Sequence, residues 1–313
     1  MDKENFFTNR YITILLASFC CILWGSAYPG IKIGYSLFKI TSNNVSSEIS
    51  FAGYRFIIAG IMVLAWAMLS SKSLFSLNLK NISELTALGL IQTTLQYIFF
   101  YIGLSNTSGV KGSIINSTST FFSVLLAHFF YTNDKINFKK AFGCILGFLG
   151  VLIVNFDPSL FNFTFKIKGE MFIMISALAF SISSIFSKKI SKEIDSVIIF
   201  GYQLTIGGIF LLVIGISNRG YITHFTINST IILLYLSMLS ALAFSIWTTL
   251  LKYNKVGSIA IFSFLIPVSG SILSSIFLRE NILHLKNAIA LILVCFGIYI
   301  VNASLKLTTE SKT

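Results

Sequence analysis

The sequence predicts an all-α membrane protein of ten transmembrane helices, built as two inverted five-helix repeats with both termini in the cytoplasm. Composition, the spacing of apolar segments and an internal duplication predict it. Of 313 residues, 55% are hydrophobic and 11% are charged, whereas soluble domains carry about 25% charge. That much apolar surface requires lipid as the solvent. The duplication is visible in two places. Residues 141–155, AFGCILGFLGVLIVN, run parallel to 288–302, AIALILVCFGIYIVN, and GYRFIIAG at 53–60 lies over GYQLTIGG at 201–208.

A helix needs about 20 apolar residues to cross a bilayer. Spans are drawn at 11–36, 49–70, 84–104, 110–131, 138–156, 169–188, 196–217, 229–251, 256–278 and 285–305. The first opens after Arg10 and holds Pro29; the second holds Arg55. The third carries Gln92, Gln96, Tyr97 and Tyr101, and the fourth Asn116, Thr120 and Ser123. The fifth contains Gly143-x-x-x-Gly147, a spacing that lets helices approach closely. The sixth ends at Lys188, the seventh holds Gln203, the eighth Ser240, Trp247 and Thr248, and the ninth Pro267. Connections are short. Residues 1–157 and 158–313 therefore form two five-helix repeats within one structural unit.

Orientation follows from the flanking Lys and Arg residues. With the N-terminus inside, fourteen face the cytoplasm: Lys3, Arg10, Lys72, Lys80, Lys135, Lys139, Lys140, Lys188, Lys189, Lys192, Lys252, Lys255, Lys306 and Lys312. Seven face outward: Lys39, Lys111, Lys166, Lys168, Arg219, Arg279 and Lys286. Both termini inside requires an even number of spans. Five spans per copy is odd, so the second copy enters the membrane upside down. Span 1 matches span 6 at an offset of 156, spans 2 and 7 match at 148, and spans 5 and 10 at 147; the first half thus has about eight extra residues, assigned to the loop 41–50. Two inverted halves can rock about a central cavity, as in many secondary transporters.

Other classes are excluded on the same grounds. The net charge of +12 is scattered between apolar stretches, so nucleic acid is not a partner. Cys20, Cys21, Cys144 and Cys295 lie inside apolar runs without Cys-x-x-Cys spacing, which makes them packing residues and predicts no metal. The first apolar stretch is too long for a cleavable signal and lacks an A-x-A site. No His-Glu-x-x-His motif, phosphate-cradling glycine loop or paired intramembrane aspartates are present, so no enzyme and no cofactor is predicted.

The segment Leu23-Trp24-Gly25-Ser26-Ala27-Tyr28-Pro29 ending at Lys32 resembles the signature of EamA-type members of the drug/metabolite transporter superfamily. So do Tyr54-Arg55-Phe56 with Ala59, Pro267, and Leu278-Arg279-Glu280. The resemblance covers nearly the whole chain and implies a ten-helix bundle that exports or exchanges small polar metabolites. Two departures stand out: Thr120 occupies a place where the first repeat often has proline, and Asn133 or Asp134 replaces the acid that Glu280 represents.

The candidate substrate-binding residues are Trp24, Tyr28, Arg55, Gln92, Gln96, Tyr97, Tyr101, Asn116, Trp247 and Thr248, with Pro29 and Pro267 as kinks. Arg55 stands deepest. It lies six residues past the predicted start of span 2, about 9 Å along the axis at 1.5 Å per residue. Intramembrane charge is costly and by default functional, although at that depth the side chain has a second option, to snorkel to the outer interface. Gln203 in the second copy shows that the fold does not demand charge there. The amides and hydroxyls serve either as interhelical glue or as hydrogen-bond partners for a polar solute. His128 offers one site for a coupling proton, and Glu280 and His284 fall in an outer loop.

The reading is a secondary transporter in the plasma membrane, monomer or weak homodimer, working by alternating access on a small polar or amphiphilic metabolite. The bilayer is its other partner. The rival reading is a lipid-carrier flippase component, or a membrane scaffold without solute flux.

Overall fold

The computed structural model describes residues 3–41, 44–70, 77–107, 109–156, 166–278 and 285–302, which are helical apart from their connections and contain no strand. Arg279, Glu280, His284, Lys72, Lys306 and Lys312 lie outside the described residues. After a short helix Lys3–Thr8 come α1 (Arg10–Leu37), α2 (Val45–Leu69), α3 (Leu79–Asn106), α4 (109–130) and α5 (Phe138–Val154). Then follow α6 (Ile167–Ile190), α7 (Ser196–Ser217), α8 (Ile227–Tyr253), α9 (256–278) and α10 (Leu285–Asn302). Among the described residues, α1–α4 and α6–α9, eight helices, are long and apolar enough to cross a membrane. The chain is a multi-pass membrane protein. Its outer surface is apolar, with Leu15, Trp66, Phe129, Ile292 and Phe296 exposed.

Polar side chains set where the helices start. Asn9, Asn44, Asn78 and Asn137 each accept a backbone N–H of the first turn of α1, α2, α3 and α5, and Asp195 does so for α7. Thr226 and Ser229 cap α8 reciprocally. Such caps satisfy donors that a helix start otherwise leaves open. Asn44 starts α2 four residues earlier than hydropathy alone predicts, because Ser46, Ser47 and Glu48 continue the helix although they interrupt the apolar run.

Contacts at the two ends trace an up-and-down path. At the end where α1 begins, here the near end, Lys80 pairs with Glu193 at 3.1 Å and the Asn254 side chain donates to the Phe7 carbonyl at 2.9 Å. At the far end Ser50 donates to the Gly220 carbonyl at 2.6 Å and Thr107 to Glu170 at 2.9 Å.

The closest packing joins α2 and α7, which run antiparallel. A Cβ on Gly53 would meet the Leu212 backbone at 2.7 Å, one on Gly60 the Thr205 nitrogen at 2.6 Å, one on Gly208 the Ile57 nitrogen at 2.8 Å, and one on Gly215 the Ser50 nitrogen at 2.8 Å. Gly201 in turn lies against Leu64. These contacts are reciprocal: Gly53 faces Leu212, the counterpart of Leu64, while Gly201, the counterpart of Gly53, faces Leu64 itself. A local two-fold axis crosses between the helices. The same relation joins α5 and α10, where Gly143 meets Gly297 and Gly150 meets Ala290. Lipid supplies no hydrophobic drive between helices, so such glycine contacts, which let backbones touch, do the holding. The Gly143-x-x-x-Gly147 pair is thus used inside the chain, against Val301, Gly297 and Phe264. Around these pairs α1 packs on α8 and α9, and α6 packs on α3 and α4.

Regular winding fails at matching places. α9 tightens into a 3-10 turn at Ile261–Phe264, ahead of Pro267, and α4 breaks at Ser117 between Gly109–Asn116 and Thr118–Phe130. The first copy has Thr120 where the second has Pro267, so the irregular turn does not depend on proline. Pro29 sits buried within a continuous α1, and the carbonyl of Gly25 that it leaves without a donor points to α9, 3.5 Å from where a Cβ on Gly270 would stand. α3 widens into a π-helical stretch at Gly89–Leu95, which holds Gln92.

Gly60→Ala forces α2 off the α7 backbone, an overpacking that costs about 1–3 kcal/mol. Thermal unfolding in detergent is expected to show a midpoint lowered by several degrees. Gly30→Ala, whose added carbon meets side chains and no backbone, Leu236 at 3.0 Å and Tyr235 at 3.5 Å, serves as the milder control.

Candidate functional site

Three helical stripes converge on Arg55. In α1 they are Trp24, Tyr28 and Tyr35, spaced four and seven apart; in α3 Tyr97 and Tyr101; in α8 Ser240, Phe244 and Trp247, again four and three apart. Such spacings place side chains on one helix face. Arg55 is ten residues past Val45, about 15 Å along α2 at 1.5 Å per residue. It is 3% exposed. It does not snorkel: its Nε donates to Ser240 Oγ at 2.9 Å, and its guanidinium lies 5.0 Å from the Phe56 ring centroid.

Aromatic rings enclose this charge. Phe56 and Tyr97 centroids are 4.6 Å apart, and Tyr97 and Tyr101 6.0 Å. Trp24 meets Phe244 at 5.2 Å and Trp247 at 5.0 Å. Tyr35, Tyr97 and Tyr101 lie within electrostatic range of the guanidinium, and Tyr28 within range of Tyr97. Tyr35, Phe56 and Phe244 were absent from the sequence-based set; Tyr35 was readable as the next member of the Trp24–Tyr28 stripe, whereas Phe56 and Phe244 had no polar signature to mark them.

Arg55 has no carboxylate at ion-pair distance among the described residues; its contacts are Ser240 and the Phe56 ring, and Glu48, two turns earlier on α2, lies within electrostatic range of the same Tyr35 and Tyr101. An arginine at the centre of a bilayer helix costs roughly 2.5–3.5 kcal/mol on insertion scales. Several polar atoms nearby or on the same helices are buried without a partner: Trp24 Nε1, Trp247 Nε1, the Tyr35 hydroxyl, and the Oε1 atoms of Gln92 and Gln96. The Tyr35 hydroxyl approaches that of Tyr101 without a hydrogen bond of ordinary geometry. Buried polar groups are nearly always satisfied, so a concentration of unsatisfied ones calls for an explanation such as a ligand or water.

The two-fold axis gives this arrangement a neutral mirror. Gln203, the counterpart of Arg55, donates from Nε2 to Thr93 Oγ1 at 2.8 Å, just as Arg55 donates to Ser240. Gln203 is fully buried. The same geometry thus stands with a charge in one half and without it in the other.

Other candidates have contacts of their own. Asn116 is on α4, which packs chiefly on α6 and α9. Thr248 donates to the Phe244 carbonyl within its own helix. Thr120 and Ser123 reach the Ala260 carbonyl and Ser181, which makes them interhelical glue. His128 accepts the Ile136 N–H on Nδ1 at 3.0 Å, fixing a turn at the near end rather than facing the cluster. A cavity of about 280 Å³ opens at the far end between α2, α3 and α7, away from the Arg55 cluster, with Ile49, Ile98, Ile102 and Ile214 in its apolar walls.

The near end is tied by charge. Asp134, between α4 and α5, bonds Lys140 with one oxygen and with the other accepts the Gly257 N–H at the start of α9, at 2.9 Å. Lys188 at the end of α6 donates to the carbonyls of Leu251 and Asn254 at the end of α8 and lies 5.6 Å from the Tyr131 ring centroid. The short N-terminal helix covers the same corner, with Phe7 stacked on Tyr253 at 5.6 Å.

Comparison with known proteins agrees with this architecture. The uncharacterized transporter YvbV of Bacillus subtilis is 28% identical over 304 residues, covering 94% of this chain and 92% of its own. The WAT1-related protein At3g02690, chloroplastic, of Arabidopsis thaliana is 26% identical over 93% of this chain and 69% of its own. A solved crystal structure superposes with a TM-score of 0.72 over 91% of this chain and 94% of its own; at 15% identity that likeness is one of fold. The sequence pattern of the EamA-like transporter family matches twice, at residues 11–156 and 167–303. The chain belongs to the EamA-like transporter family.

Proposed function

We propose that this chain is a secondary carrier that moves a small polar or amphiphilic metabolite across the plasma membrane, as exporter or exchanger, by alternating access. In this reading ten helices cross the bilayer as two inverted halves, residues 1–157 and 158–313, with the lysine-rich near end and both termini in the cytoplasm. The observation that carries it is the Arg55 cluster: a buried, unpaired charge walled by aromatic rings about one turn from the two-fold axis. A site on the axis of two inverted halves is reached from either side as they rock. Trp24, Tyr28, Tyr97, Tyr101 and Trp247 form its walls, and Gln92 and Gln96 supply unspent acceptors from the same α3 that carries the tyrosines. Pro29 and Pro267 shape the α1–α9 seam rather than the site itself.

Movement has a defined obstacle. For the Arg55 cluster to open to the near end, the start of α9 must leave Asp134 and the end of α8 must leave Lys188. Both are charge-assisted hydrogen bonds, roughly twice as strong as neutral ones, and both act through backbone groups at helix ends. They form a latch that is released as a unit.

Purified protein in liposomes is expected to give saturable counterflow of at least one solute from a panel of radiolabelled amino acids, purines, sugars and organic acids. The lipid-carrier or scaffold reading takes over if no solute shows saturable flux. For the latch, Asp134→Asn strands the buried Lys140 charge and is expected to lower stability by about 3–5 kcal/mol. Adding Lys140→Gln recovers part of that loss, and hydrogen exchange at 254–260 is expected to quicken in the double variant. Equal exchange in wild type and double variant rejects the latch.

A further inference from the structure

The structure assigns a charge class to the substrate: we infer that the Arg55 cluster is a site for an organic anion, a carboxylate carried on an apolar, ring-sized body. The inference builds on the transport reading for its flux arm; its binding arm stands without it.

The donors are unequally distributed. The unspent groups around the cluster are those of the Arg55 guanidinium, whose Nε alone is engaged, the indole N–H groups of Trp24 and Trp247, the Tyr35 hydroxyl, and the acceptor Oε1 atoms of Gln92 and Gln96 on α3. The one full charge among them is a donor, the guanidinium. A cationic substrate placed here meets a fixed positive charge, and a neutral one leaves that charge unpaired in a water-poor site. A carboxylate accepts from the guanidinium in the planar, two-bonded geometry that arginine presents, and it has lone pairs left for a further donor.

The mirror site shows that the charge is not structural. Gln203 fills the equivalent place, makes the equivalent bond to Thr93, and is more deeply buried than Arg55. Where the fold needs only a donor for the facing hydroxyl, glutamine suffices. Arginine is present on one side alone, the side lined by Trp24, Tyr28, Tyr97 and Tyr101. In the other half their counterparts are Phe180, Ser184, Phe244 and Thr248. Charge and hydroxyl-bearing aromatic wall thus occur together and are absent together. The wall sets the size of the body: edge-on and tilted rings around Trp24 and Phe56 leave planar apolar groups as the natural fit.

The test uses three probes of matched shape: phenylacetate as anion, phenylacetamide as neutral, and 2-phenylethylamine as cation. In detergent, phenylacetate is expected to raise the unfolding midpoint of the wild type at a concentration at least ten-fold lower than either companion. Arg55→Gln is expected to erase that difference while folding normally, since glutamine already serves at 203; Arg55→Lys retains part of it, keeping the charge without the fork. In liposomes, after subtraction of protein-free vesicles, phenylacetate is expected to compete with counterflow of any solute the carrier moves, and Arg55→Gln to abolish the competition. Stabilisation by the amide or amine equal to that by phenylacetate overturns the inference, and so does an Arg55→Gln protein that still prefers the anion. Saturable flux of a neutral or cationic solute that phenylacetate leaves untouched overturns it too, with the carrier reading intact. Absence of all flux removes the carrier reading, and the midpoint measurement then decides the anion site alone.

Discussion

The contact of α2 with α7 is the constraint on which the rest of the bundle depends. The two backbones approach with glycine at Gly53, Gly60, Gly201, Gly208 and Gly215, so that a single added carbon at any of them meets a neighbour below ordinary contact distance. Lipid is as apolar as leucine and gives helices no reason to associate through bulk hydrophobicity; dispersion between closely fitted surfaces takes over. Close approach is possible only in the one register in which the glycines line up, and because the helices are copies of each other that register is self-complementary. The two-fold axis is a consequence of the glycine spacing.

That axis determines where chemistry can sit. Arg55 and Gln203 stand about one turn on either side of the crossing, each reaching across to a hydroxyl on the third helix of the opposite half, Ser240 and Thr93. Positions so placed are deep in the bundle from both faces. The symmetric frame therefore offers two equivalent places, and the chain has put charge and hydroxyl-bearing rings in one of them. A fully symmetric pair would have buried two arginines close together, with like-charge repulsion added to two desolvation penalties. Asymmetry keeps the frame and halves the electrostatic burden.

The ends of the bundle obey a different logic from its middle. In the middle, holding is done by small residues and neutral hydroxyls such as Ser123, Ser181 and Thr94. At the near end it is done by ions placed on helix termini, where Asp134 meets the N–H of Gly257 and Lys188 meets the carbonyls that close α8. Both signs match the helix dipole, negative at an N-terminus and positive at a C-terminus. Contacts of this kind are strong yet directional, so each is sensitive to the tilt of the helix whose end it holds.

Much of this was written in the order of residues. Hydropathy marked ten spans, eight of which correspond to helices long and apolar enough to cross a membrane among the described residues; the repeated glycine segments identified which helices correspond, and the difference between Arg55 and Gln203 already pointed to the place where symmetry is given up. Those features are local or periodic, and a membrane helix satisfies its own backbone, so each span is legible alone. Tertiary structure decided the rest. Where α2 begins depended on the Asn44 cap, which set Arg55 near mid-depth and out of reach of the interface. That Tyr35, Phe56 and Phe244 join the cluster follows from which helix faces are turned toward one another across long separations in the chain. A polar residue on an apolar helix has the same appearance in sequence whether it bonds its own backbone, a neighbouring helix or a solute; only the packing of the neighbouring helices distinguishes them.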